Sequence, residues 1–233
     1  MSFIRRLTGT FVDPGRTFRA IAEKPVWVDA LLVVLIAIFL FSYLGFPYGQ
    51  RDSVRLLEDN ATKLKAKWGE DRYAQALERA KTSPRLLTAG VIVPLTSLIG
   101  MLFSSLIILG LGRLFSTQGN YLRVFSILVH ANFVDKLLGN AVRLFLILTR
   151  QSVVETSTGL AIFFPGLETT SQSYLILNQV DFFQLWLFGI FGLGLSHAFK
   201  FSPKKGLFLA YFFWALKTLL TIGLGLLQLR AIQ

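Results

Sequence analysis

Cysteine is absent from the 233 residues, and histidine occurs twice. The first absence excludes a disulfide framework and any thiolate metal site. The second means that a histidine-built metal site would need both histidines plus carboxylates, so neither a metal nor any other cofactor is expected. Charge is scarce too: 16% of residues are Asp, Glu, Lys or Arg, against about 25% in a soluble domain. Catalytic signatures are missing. No P-loop, H-E-x-x-H or G-x-S-x-G motif occurs, and "GIFGLGLS" (189–196) is not the dinucleotide fingerprint. No enzyme activity is expected.

What the chain does have is apolar length, with 53% hydrophobic residues. Spanning a bilayer as a helix takes about 20 of them in a row. Stretches at about 28–48, 86–112, 174–199 and 206–229 meet that length, and a fifth at about 124–149 meets it only if its charges are buried in protein. The expected fold class is therefore all-α: a polytopic membrane protein of five transmembrane helices (26–233) behind an N-terminal interfacial amphipathic helix (1–25). Pro94 is expected to kink the second span. "KFSPKKG" (200–206) is short enough to force spans four and five into an antiparallel hairpin. Gly189, Gly192, Gly194 and Ser196 read as small residues for close helix packing.

The opening residues are not a secretory signal, because no uninterrupted apolar core follows Arg5 and Arg6 before Pro25. Asp13-Pro14 instead starts a helix, with an acceptor at the cap and proline at the first position. Phe3, Leu7, Phe11, Phe18 and Ile21 form an apolar stripe expected at headgroup depth, with Arg5, Arg6, Arg16 and Arg19 on lipid phosphate. The net charge of +11 has the same reading: the basic residues flank spans, so the expected partner is an anionic bilayer, not nucleic acid. Between the first two spans, 49–85 reads as an extramembrane helical insertion. Its apolar stripe is Val54, Leu57, Ala61, Leu64 and Trp68, broken at Gly69. It is expected either to dock a protein partner or second copy, or to fold onto its own bundle.

Orientation is balanced by charge. With the N-terminus inside, ten basic residues are cytoplasmic and eleven external, the latter being Arg150, Arg230 and nine within 51–85.

Charges at membrane depth are costly and are the natural place to look for function. On a helical wheel of the third span, Asn132, Asp135, Lys136, Gly139, Asn140 and Arg143 share one face, and His130 lies off it. Such a face must look into the bundle or a water-filled cavity. Lys217 lies near the middle of span five, level with Asp135. Asp181 lies at the depth of Arg143. Two buried ion pairs are expected, Asp135–Lys217 and Arg143–Asp181. Lys136 is discounted as a partner of Asp135, because neighbouring helical residues do not face each other. The set Asn132, Asp135, Lys136, Asn140, Arg143, Asp181 and Lys217 is the candidate polar cluster. It serves either to fix helix packing or to line a transport path.

"FVDPGRTFRAIAEKPVW" (11–27) and "LNQVDFFQLWLFGIFGLGLSHAFKFSPKKG" (177–206) resemble the Yip-one domain family, the Ypt/Rab-interacting membrane proteins, in its prokaryotic branch. The first carries the Asp-Pro turn, short amphipathic helix and proline-aromatic approach to span one. The second carries Asp181, Trp186, the glycines and the basic turn into span five. The resemblance implies five spans, a cytoplasmic N-terminus and no enzyme activity. It suggests a membrane scaffold or organiser in the plasma membrane of a prokaryote, with a small transporter or channel built on the third span's polar face as the alternative.

Overall fold

The computed structural model describes residues 1–154 and 156–232, with side chains through Leu229. Arg230, counted above among the external charges, therefore lies outside the described side chains. Helix dominates, and no strand occurs among the described residues. The order is α1 (Phe3–Val12), α2 (Pro14–Glu23), α3 (Val28–Asp59), α4 (Ala61–Trp68), α5 (Glu70–Thr82), α6 (Val93–Arg113), α7 (Tyr121–Asn132), α8 (Asn140–Arg150), α9 (Gln172–Asn178), α10 (Phe182–Phe199) and α11 (Pro203–Ile232). Two π-helical turns, Leu86–Ile92 and Phe133–Gly139, join α6 and α7–α8 into longer passages.

Four passages are long and apolar enough to cross a membrane: Val28–Asp59, Leu86–Arg113, Phe182–Phe199 and Pro203–Leu229. The charged one, 121–150, is helical throughout. The chain is thus an all-α, multi-pass membrane protein. Its surface is that of a lipid-solvated bundle. Leu32, Ile36, Leu40 and Leu44, one turn apart on α3, are all exposed, a stripe that only hydrocarbon would solvate.

The centre is α7 and α10. α10 is 61% buried over its apolar window, against 17–28% for the other three spans, and α7 is buried continuously from Val124 to Asn132. Glycine makes the tightest crossing possible. A Cβ on Gly192 would lie 2.8 Å from Leu207 Cα, and one on Gly206 would meet the Gly192 carbonyl and the Ser196 amide. The hairpin reverses at Lys200, whose left-handed φ of 55° ends α10, and Pro203 starts α11.

Three expectations change. First, α1 and α2 do not lie on the bilayer alone; they are built into the bundle. Phe18 and Ile21 are fully buried, Phe3 meets Phe133 edge-on, and Phe11 meets Trp186. Protein, not lipid, covers that stripe. Second, the 54–68 stripe belongs to two helices. α3 runs through Pro47 to Asp59 before the chain breaks at Asn60. At 32 residues α3 is about 48 Å long and overshoots a ~30 Å hydrocarbon layer. α4 and α5 fold back on the projecting end: Gln50 donates to the Ala80 and Lys81 carbonyls, both at 2.9 Å, and Lys81 pairs with Glu58 at 3.2 Å. Gly69 at φ 84° makes the reversal between them, a conformation that side chains resist. Third, the second span does not run as one α-helix: Leu86–Ile92 is a π-helical turn, and Pro94 follows it in the first turn of α6.

Candidate functional site

The fourth span is where sequence and structure part most. Residues 174–199 form two helices, not one. α9 stops at Asn178, and Asp181 caps α10, accepting from the Phe183 and Gln184 amides at 2.8 and 3.1 Å. An aspartate with extended backbone before an apolar run is a good N-cap, so the break is local chemistry. Backbone without helical bonding is tolerated at membrane depth only inside protein. Here Gly159 pairs with Asp181 as an isolated antiparallel bridge, and Leu160 N donates to the Val180 carbonyl at 3.0 Å.

Arg143 holds that break to the third span. Its Nη2 lies 2.9 Å from both Asp135 Oδ1 and Asp181 Oδ1. Its Nε donates to Thr158 Oγ1 at 2.9 Å, and Nη1 donates to Asn140 Oδ1 at 3.3 Å. Thr158 donates to the other Asp181 oxygen. The Phe183 ring lies beneath the guanidinium, 5.3 Å from it. The expected Arg143–Asp181 pair is present.

The expected Asp135–Lys217 pair is not. Asp135, only 1% exposed, takes Arg143 instead. An α-helix would put these two, eight residues apart, about 80° out of line. The π-helical turn Phe133–Gly139 advances less per residue, because its bonds close i to i+5, and this reduces the offset. Lys136, discounted above, is the second partner, with Nζ 2.8 Å from Asp135 Oδ2. Its flexible four-carbon stem curls back, which wheel arithmetic on Cβ directions does not capture. The contact is ionic and lacks the angles of a directed hydrogen bond. Gly139 keeps the space open. A Cβ there would lie 2.9 Å from the Phe183 ring and 3.0 Å from Arg143 Nη1. Gly139→Ala should therefore lower the melting temperature of the purified protein, whereas Gly15→Ala, placed where nothing lies within 4 Å, should not.

Lys217 sits apart. Exposed on α11, it donates to Gln184 Oε1 at 3.1 Å and lies 5.7 Å from the Phe188 ring centre. Together with Lys136, Asn132, Gln184, Ser97 and Ser104 it lines a lateral cavity of about 340 Å³ between α6, α7, α10 and α11.

A second buried polar group was not legible as a group. Arg6, expected on lipid phosphate, is turned inward. It pairs with Asp29 and donates to His130 Nε2 at 3.1 Å and to the Met1 carbonyl at 2.7 Å. The cause is position: Arg6 flanks the Phe3–Leu7–Phe11 stripe on the side of Thr10, and both are carried inward when that stripe packs. Arg5, Arg16 and Arg19 remain exposed. His130, off the polar stripe as expected, is fully buried and bonded to the Ser126 carbonyl at 2.7 Å. A third group lies at the membrane exit: Asp52 accepts from Ser152 Oγ and from the Val153 and Val154 amides, at 3.0, 2.6 and 3.1 Å. No cluster of metal-ligating side chains occurs among the described residues.

Among known protein families, the Yip1 domain matches residues 8–225, which is most of the chain. No curated protein and no solved structure matches it.

Proposed function

The chain belongs to the Yip1 domain family, and on that premise we propose a non-enzymatic scaffold or organiser in the plasma membrane of a prokaryote, its N-terminus cytoplasmic. The observation that carries this reading is the closed charge balance around Arg143. Asp135, Lys136, Arg143 and Asp181 are two carboxylates and two cations in direct contact, and Asp135 is sealed from the surface. A relay or permeation path needs charges that water or substrate can reach. These are spent on one another, and they tie the broken fourth span to the third. The α4–α5 hairpin, fixed to α3, is the projecting surface on which a protein partner or second copy would act, and Arg5, Arg16 and Arg19 face anionic headgroups.

One observation favours transport. Discontinuous spans are where many transporters bind substrate, and here the helix is interrupted at 179–181, just ahead of the Phe182–Phe199 passage. Its freed helix end is already capped by Asp181, however, and its cation is already shared between two carboxylates. Flux decides between the readings. Purified protein in liposomes loaded with a pH-sensitive dye should pass no more protons under an imposed potential than empty liposomes. A saturable flux lost in Asp135→Asn would establish the transporter.

Orientation has its own test, made simple by the absence of cysteine. Single cysteines at Ser2, Ser53 and Ser202, all exposed, should label with an impermeant thiol reagent on intact cells only at position 53. Labelling at position 2 and not at 53 would invert the topology.

A further inference from the structure

We propose that the lateral cavity at Lys217 binds a carboxylate amphiphile drawn from the bilayer, an acyl chain whose carboxylate is held by the Lys217 ammonium.

Charge is the first ground. The four groups around Arg143 balance, so Lys217 is a surplus cation, and among the described residues no carboxylate lies within ion-pair distance of it. Gln184 offers a neutral oxygen and Phe188 a ring face; neither supplies the missing negative charge. Position is the second. Lys217 lies roughly 20 Å along α11 from its Pro203 start at ~1.5 Å per residue, on an exposed face beside Leu216, Leu219 and Leu220. An ammonium at that depth is costly, and the medium it faces is lipid, so lipid is the available source of a counter-anion.

The cavity fits such a guest at both ends. An ammonium has three N–H donors, and Lys217 uses one on Gln184, leaving donors for both carboxylate oxygens. Away from the lysines the wall is apolar, formed by Met101, Leu128, Leu187 and Phe213. Gly100 on α6 borders it, with nothing within 4 Å of the place a Cβ would take. This leaves a gap through which a chain can enter sideways. One surplus positive charge matches one carboxylate. A phospholipid phosphate, tethered at the headgroup layer by its glycerol, does not reach this depth.

The test uses full-length protein, purified in a neutral detergent and stripped of lipid, with oleate as probe and oleyl alcohol and methyl oleate as uncharged controls. Oleate should raise the melting temperature saturably and appear as a one-to-one adduct in native mass spectrometry, and the neutral analogues should do neither. Lys217→Gln should weaken oleate binding about tenfold or more, the loss of a hydrogen bond to a charged group, and Lys217→Arg should retain it. Should Lys217→Gln fail to fold, Gly100→Leu fills the mouth without touching a charge and should abolish the response. Equal stabilisation by oleyl alcohol, or an oleate response unchanged in Lys217→Gln or Gly100→Leu, would overturn the proposal. So would a dimer that ignores oleate and dissociates in Lys217→Gln, which would assign the counter-charge to a second copy of the chain.

Discussion

Arg143→Met alone should destabilise the detergent-solubilised protein by about 3–5 kcal/mol, the usual cost of leaving a buried charge without its partner. The loss is large because one guanidinium serves two carboxylates, the Thr158 hydroxyl and the Asn140 amide. Without it Asp135 and Asp181 repel across the break in the fourth span, and Lys136 neutralises only the first. Asp135→Leu alone should cost a similar amount by exposing the opposite imbalance. The fully neutral variant, Asp135→Leu with Lys136→Met, Arg143→Met and Asp181→Asn, should recover most of the loss. Asparagine keeps the cap of α10, and apolar replacement of a whole buried ionic group is often near neutral. Chemical unfolding followed by tryptophan fluorescence measures all three. A quadruple variant less stable than either single one would mean that the charges do more than cancel.

The second large effect is at the α10–α11 crossing. Gly206→Leu should cost about 1–3 kcal/mol or more, the range for forced overpacking, and should reduce the amount of folded protein recovered from membranes. The obstacle is backbone, the Gly192 carbonyl and the Ser196 amide, which cannot rotate aside as a side chain can. Gly223→Leu is the matched control on the same helix: nothing lies within 4 Å of the Cβ there, and lipid accommodates the added bulk. Equal loss in the two variants would show that α11 is sensitive to glycine replacement in general and not at the crossing.

What could be read from sequence was whatever depends on one helix at a time. The apolar runs of the first, second and fifth spans, the Asp13-Pro14 start, the break at Gly69 and the small residues of α10 are local properties, and the structure carries each of them. So is the Arg143–Asp181 pair, because depth along two spans follows from rise per residue. What could not be read depends on departures from α-helical geometry or on how helices dock. The Asp135–Lys217 expectation rested on matching depth alone, which does not say which side chains face each other, and the wheel that discounted Lys136 assumed 100° per residue through 133–139, where the chain is π-helical. The break at 179–181 was hidden in a run whose hydropathy hardly falls, although Asp181 itself was the signal. Arg6 was assigned to lipid because an isolated amphipathic helix would place it there. Only the docking of α1 on α7 and α3 brings it to Asp29 and His130, two residues that no spacing rule links to it.

The measurement closest to the central claim, that the intramembrane charges are closed to water and hold the bundle together, is aqueous accessibility at Asn140, a buried neighbour of Arg143. Asn140→Cys in the cysteine-free chain, probed in sealed right-side-out and inside-out vesicles with a small impermeant methanethiosulfonate, should stay unlabelled from both sides, while Ser53→Cys reacts from the outside. Rapid labelling of position 140 from either face would show a water-filled path to the Arg143 cluster and would contradict the closed, structural role assigned to it.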